Sequence, residues 1–444
     1  MIPRLPRRRT ERRGLNLWPV GPVLILAFTI ALTVAGGVFY TAWDLLGARG
    51  LKPEHRLDSS TLFDLVKLSF GVVAGAGALV ALIVAYRRQR VDEDGALRDA
   101  TRLHTERFTT AVSQLGDDAP AVQLGGVHAL AGLANDAPTP ALRQTCIDVL
   151  CAYLQLPHTP DPGTDPADQE QHHRYLALRT VRHTVLRLIG DHYRLPAGTH
   201  GSWQGCNLDL AGTIIDGPLN FDGATFSGGT VSFDGATFSG SRVDFNGATF
   251  SGGAVSFGRV AISGGALNFN GATFSGGRVS FAGAAFSGGS ANFNGATFSG
   301  GDVYFGTAAF SGGSLFFGGV SFSGSRVDFR LATFSGSTFN FYQAAFSGSS
   351  VLFEAATFSG GSVFFGGASF SGGIVSVDRV TFSGGTVSFS GATFSGGTVK
   401  VDRVTFSGGT VSFADARGEA PLGLVPGAGE PLPPGLILPD AWRS

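Results

Sequence analysis

From Phe226 to Phe406 one phrase, Ala-Thr-Phe-Ser-Gly-Gly-x-Val-x-Phe-x-Gly, returns every twelve residues without an insertion. A fixed period of this kind belongs to stacked supersecondary units, each of which buries its apolar face only against its neighbours. The first aromatic recurs at Phe226, Phe238, Phe250, Phe274, Phe286, Phe298, Phe310, Phe322, Phe334, Phe346, Phe358, Phe370, Phe382, Phe394 and Phe406, with Ile262 once in its place. The second recurs in the same step, from Phe233 and Phe245 to Phe389 and Phe413, with Val377 and Val401 as substitutes. A small or branched residue stands two positions before each aromatic, as in Ala224-Thr225-Phe226 and Val231-Ser232-Phe233. A period of two puts both apolar side chains on one face of a short strand. Glycines between the strands allow the positive φ angles that corners demand. The repeat therefore reads as strand, corner, strand, corner, with Phe226, Phe233, Phe238, Phe245, Phe250, Phe274, Phe298, Phe334, Phe358 and Phe394 as core. One unit buries too little to offset the entropy of ordering it, so the array must be long and unbroken.

Two coil sizes satisfy this pattern. If each repeat closes on itself, a coil holds twelve residues; if the coil has four sides, it holds two repeats. At about 4.8 Å per layer the second choice gives a rod of roughly 40 Å and the first one of roughly 80 Å. Four sides are expected, because a thin two-sided section leaves little room for two Phe, an Ala and a Val in every layer. Phe226 is then expected over Phe250 rather than over Phe238.

The cadence resembles that of the pentapeptide-repeat proteins, whose five-residue unit turns a small and a large apolar residue inward on each side of a square right-handed β-helix. Ala224-Thr225-Phe226-Ser227-Gly228 and Val231-Ser232-Phe233-Asp234-Gly235 fit that unit. Gly229 and Thr230 are two extra residues, repeated in every copy, and Phe takes the place usually held by Leu. The run Leu208-Asp209-Leu210-Ala211-Gly212, Thr213-Ile214-Ile215-Asp216-Gly217 keeps the plain five-residue step and reads as the lead-in coil. The solenoid is expected over 203–413, followed by a Pro/Gly-rich cap or tail over 414–444.

The N-terminal part is organised differently. After a basic segment, 1–16, an apolar stretch within 17–46 is long enough to cross a bilayer, and a second lies within 61–88. The first is too long, and lacks the cleavage signature, to be a removable signal peptide. Arginines precede the first (Arg4, Arg7, Arg8, Arg9, Arg12, Arg13) and follow the second (Arg87, Arg88, Arg90), whereas the loop 47–60 is weakly basic. The positive-inside rule then predicts a two-helix hairpin in the cell membrane with both termini cytoplasmic. Gly71 and Gly75 have the small-xxx-small spacing that lets helices approach closely, against the first span or in a homo-oligomer. Lys67 stands near the outer end, three residues after Asp64, where a lysine snorkels to the interface.

Over 91–195 the period changes to that of helices. Leu124, Val127, Leu130 and Ala134 make one stripe; Leu142, Cys146, Val149, Tyr153 and Leu154 a second; Leu178, Val181, Val185, Leu188 and Ile189 a third. Pro120 and Thr139-Pro140 read as helix starts, and Pro157 to Asp168 as a mobile loop. Phrases such as Glu106-Arg107-Phe108-Thr109 and Arg143-Gln144-Thr145-Cys146-Ile147-Asp148-Val149-Leu150 resemble the helical linker of bacterial, especially actinobacterial, membrane-anchored pentapeptide-repeat proteins. Such paired short helices are similar to HEAT-type hairpins.

Catalytic chemistry is not indicated. Ser occurs in every copy as a corner residue, the glycine-rich corners lack the Lys-Ser/Thr of a phosphate loop, and no cofactor motif is present. His172, His173, His183 and His192 have no acidic or Cys partner at ligand spacing, so a polar helix face is expected rather than a metal. Cys146, Cys151 and Cys206 show no framework spacing and read as reduced thiols. Asp222, Asp234, Asp244, Asp302 and Asp328 fall at outward positions, where solvation is their expected role. Some pentapeptide-repeat relatives imitate DNA with an acidic solenoid and bind a topoisomerase. Between Cys206 and Phe413, however, ten acidic residues stand against eight basic ones, far short of duplex charge density at one charge per about 1.7 Å. The sequence thus predicts a membrane-anchored, non-enzymatic scaffold with a protein partner, no nucleic acid and the lipid bilayer as its other contact. The alternative is a channel or sensor subunit regulated by the solenoid.

Overall fold

The computed structural model describes residues 59–157, 161–163, 165–396, 398–421, 424–425, 431–432 and 434–443, with eight single positions between 29 and 44. The basic N-terminus, most of the first apolar stretch and most of the loop 47–60 lie outside the described residues. The chain divides into two compact units, 1–101 and 102–444.

The first unit contains most of α1 (Ser59–Leu115), a helix that runs on without the break expected between 88 and 91. Among the described residues this is the one helix long and apolar enough to cross a membrane. The composition explains the continuity: Arg87 to Leu115 holds no proline and one glycine, Gly95, so nothing stops the helix. Phe63, Leu68, Phe70, Val73 and Leu82 are exposed on it, and Lys67 pairs with Asp64 at 3.4 Å.

The second unit begins with a small helical bundle. Residues 102–115 of α1 are followed by α2 (Pro120–Asn135), α3 (Pro140–Gln155) and α4 (Gln169–Arg194). Both α2 and α3 start on the proline, and the Thr139 hydroxyl accepts a hydrogen bond from the Leu142 amide, which caps α3. Val127, Leu130, Ala134, Cys146, Leu154, Val181, Val185 and Ile189 are buried where the stripes meet, joined by Ile147, Leu150 and Cys151. Burial pushes the Cys146 thiol up to about 11 and that of Cys151 up to about 12.

Strands of mostly two or three residues then wind from Leu208 to Ser412 into a β-solenoid of about nine turns. Pairing is parallel, and Phe226 registers with Phe250, so one coil spans 24 residues and has four sides. Four Phe ladders fill it. One runs through Phe226, Phe250, Phe274 and Phe298 with ring centroids 4.4 to 4.8 Å apart; another, through Phe233, Phe257, Phe281 and Phe305, is spaced 4.8 to 4.9 Å. Neighbouring ladders meet edge to face, as Phe245 and Phe257 do at 90°. Aromatic rings tolerate both contacts, which is why Phe can replace Leu in so wide a section. All ten predicted core aromatics are at most 5% exposed.

Both ends are closed. The Tyr193 ring of α4 lies on Phe226 at 5.5 Å and on the edge of Phe221, and its hydroxyl donates to the Cys206 carbonyl. At the other end Leu436–Ile437 pairs with Val411 and Ser412, and Trp442 covers Phe394 and Phe413 while donating to the Gly418 carbonyl at 2.9 Å. Such covers shield the end aromatics and the last strand at Val411–Ser412 from water and from unwanted pairing.

Candidate interaction surface

Each coil makes two tight corners of the type Phe-x-Gly-Ala, and the glycine position has a left-handed backbone in both. Stacked at 24-residue intervals, these positions form two rows. One row is Gly223, Gly247, Gly271, Gly295, Gly319, Gln343, Gly367, Gly391 and Asp415; the other is Gly235, Arg259, Gly283, Thr307, Leu331, Ala355, Arg379 and Arg403. A residue with a Cβ costs about 1 to 2 kcal/mol in this conformation. Six of the eight positions in the second row carry that cost, against two of nine in the first. Strain of this kind persists where a side chain serves something other than folding.

The charged residues follow the furnished row. Seven of the solenoid's eight basic residues, Arg259, Arg278, Arg326, Arg330, Arg379, Lys400 and Arg403, stand on this corner or on the strand side leading to it; Arg242 alone is elsewhere. On that side Arg278, Asp302 and Arg326 occupy successive rungs of one column. The charges are layered. Asp328 has a side chain only 3% exposed, beneath Arg330 at 2.6 Å and Arg326 at 3.3 Å, which are 45% and 40% exposed. Asp378 likewise lies beneath Arg403 at 2.9 Å and Arg379 at 3.3 Å. Carboxylates below hold guanidinium groups in place above, and Glu354 in the groove and Asp402, 69% exposed, add negative charge to the same side. Burial works to raise the Asp328 carboxyl, but the hydrogen bonds and charge of Arg330 outweigh it and hold the group below its ordinary value. Arg330 is raised in turn.

Between these groups a groove of about 670 Å³ opens, lined by Arg278, Tyr304, Thr307, Arg330, Leu331, Glu354, Ala355 and Arg379. Arg278 lies over the Tyr304 ring at 5.2 Å, and the Tyr304 hydroxyl donates to Asp302 at 2.9 Å. Leu331, one of its lining residues, is 59% exposed. Tyr and Arg around an exposed aliphatic group are residue types that dominate protein interfaces.

Residues 210–261 match the family model for pentapeptide repeats. That stretch makes up about the first two coils of the solenoid and is similar to the family there. The solved structure of QnrB1, a plasmid-mediated fluoroquinolone resistance protein, is 16% identical to the chain. It covers 44% of this chain and 90% of its own, with a TM-score of 0.14, too low to relate the two folds. No curated protein matches the chain.

The solenoid places the other expected residues differently. Asp328 is buried rather than solvated. Asp222, Asp234 and Asp244 accept hydrogen bonds from the next coil, from the Asn246 and Gly258 amides at 2.8 Å and from Asn268 Nδ2 at 2.7 Å. Beside a corner, a carboxylate reaches the amides one rung away, so it joins layers instead of facing water. His172 pairs with Asp161 at 2.7 Å and His183 with Asp216 at 3.2 Å, and no metal-holding cluster occurs among the described residues. A Cβ at Gly71 or Gly75 would meet nothing within 4 Å, so among the described residues no helix packs on them. The furnished corner row escaped the sequence reading, although its signal is present as the loss of glycine at six of the eight x-Gly corners of that row.

Proposed function

We propose that the protein is a membrane-anchored, non-enzymatic scaffold whose pentapeptide-repeat solenoid binds a protein partner along the furnished corner row. The observation that carries this reading is the coincidence of three features on one side: six strained side chains, seven of eight bases and the groove around Leu331. The anchor rests on α1, whose exposed apolar surface calls for a non-aqueous cover, together with the first apolar stretch and the flanking arginines. Both termini then face the cytoplasm of a multi-pass protein in the cell membrane. DNA imitation gains no support from a side on which acidic and basic residues are paired.

A photo-crosslinking residue at Tyr304 should capture a protein that the same residue at Ser314, on the opposite side of the coil, does not. Equal labelling at the two positions would refute the surface. Resistance of the full chain to alkaline extraction from membranes tests the anchor separately, and reporters after Ser444 and near Pro53 test its orientation.

A further inference from the structure

A second cavity, of about 470 Å³, lies between the helical bundle and the first coil, lined by Gln123, Tyr153, Arg174, Leu178, Arg182 and Asp216 among others. Arg182 is its unusual member. The residue is 5% exposed, its Nη2 donates to the Ile214 carbonyl at 3.1 Å, and its Nε has no partner. Among the described residues no carboxylate lies within ion-pairing distance of it. Asp216, which also lines the cavity, is held by Arg179 at 3.1 Å and His183 at 3.2 Å on its two oxygens. A buried guanidinium without a counter-charge is costly, and an apolar residue of similar volume would serve folding better.

We propose that this cavity binds a small organic anion, whose single carboxylate or phosphate head lies against Arg182. Leu156, Leu178, Pro157 and Pro162 supply apolar wall for the body of the ligand. Arg174, which also lines the cavity, adds positive charge on the same side as Arg182. The volume is that of an ordinary small-molecule site.

The full chain in detergent is titrated with benzoate, phenyl phosphate, inorganic phosphate and benzyl alcohol, read by calorimetry and by melting temperature. Benzoate or phenyl phosphate should bind and raise the melting temperature. Inorganic phosphate should bind at least tenfold more weakly and benzyl alcohol not at all, and the aromatic anion preferred names the head group. Arg182→Met should abolish binding while melting no lower than the wild type; Arg182→Lys should retain part of the affinity. Leu178→Trp, which fills the cavity without altering Arg182, should also abolish it and decides the matter if Arg182→Met does not fold. Absence of binding by both aromatic anions, or equal binding by the wild type and Arg182→Met, overturns the proposal.

Discussion

The two corner rows of the solenoid make the same left-handed turn over one core, Phe-Ala in most coils and Val beside Arg259, Arg379 and Arg403, yet one is bare glycine for most of its length and the other is furnished with side chains. The backbone is alike in both, and the Phe-Ala core is intact at Thr307, Leu331 and Ala355, so folding does not account for those three side chains. The bare row shows what the coil requires, namely a residue that enters the left-handed region freely. The furnished row shows what has been added at about 1 to 2 kcal/mol per position: Arg, Thr, Leu and Ala beside the groove. The core sets the scale of stability, and the furnished corners spend a little of it on a surface.

The widest contrast should lie between either corner and the core below. Phe298 is stacked between Phe274 at 4.4 Å and Phe322 at 4.9 Å and is fully buried. Phe298→Ala is expected to lose about 3 to 5 kcal/mol, whereas Thr297→Ala on the outer face should change stability by less than about 0.5 kcal/mol. Denaturant melting of the full chain checks both, and similar losses would show that the strand faces are reversed.

Next in size is the acid limb at the joint between bundle and solenoid. Burial raises the Asp216 carboxyl, but the hydrogen bond and charge of His183 and the charge of Arg179 prevail and hold it at about 2, below an ordinary value of 3.8. Because the folded value is the lower one, the stability it brings is complete above about pH 4 and is lost as the pH falls towards 2. The loss is about 2 kcal/mol. Acid titration of stability in the wild type and in Asp216→Asn should show that fall in the former alone. Asp328 is also lowered, so the furnished side should weaken in the same direction, below its ordinary range.

A comparable loss is expected where α4 approaches the first coil. A Cβ on Gly190 would run into the Asn220 carbonyl, so Gly190→Ala should cost about 1 to 3 kcal/mol by overpacking. Gly132→Ala, where a Cβ would meet nothing within 4 Å, should be neutral or slightly stabilising in its helix. Equal effects would mean that α4 does not sit on the coil.

The core was legible because it repeats: an aromatic twice in every twelve residues at strand spacing leaves little choice of fold, and room for the rings selects the four-sided coil. Helix starts at Pro120 and Pro140 were legible from proline's missing amide. The furnished row was hidden by the period itself. A twelve-residue phrase equates two corners that only the 24-residue coil separates, so Arg259, Thr307, Leu331 and Ala355 read as scattered exceptions. Asp328 and Arg182 were misread or passed over for a different reason, since burial of a charge depends on which rung or helix happens to lie above it. Nor does the alternation that predicts strands say that Trp442 and Tyr193 close the ends, because each is a single residue outside the repeat.

The smallest effects, taken together, test the central claim most directly. In a variant carrying Thr307→Gly, Leu331→Gly and Ala355→Gly, folding stability by denaturant melting is measured beside crosslinking from position 304. Relief of left-handed strain should leave stability unchanged or raise it by up to about 3 kcal/mol, while capture of the partner is lost. A variant that is less stable and still captures the partner would contradict the account, because those side chains would then be serving the fold.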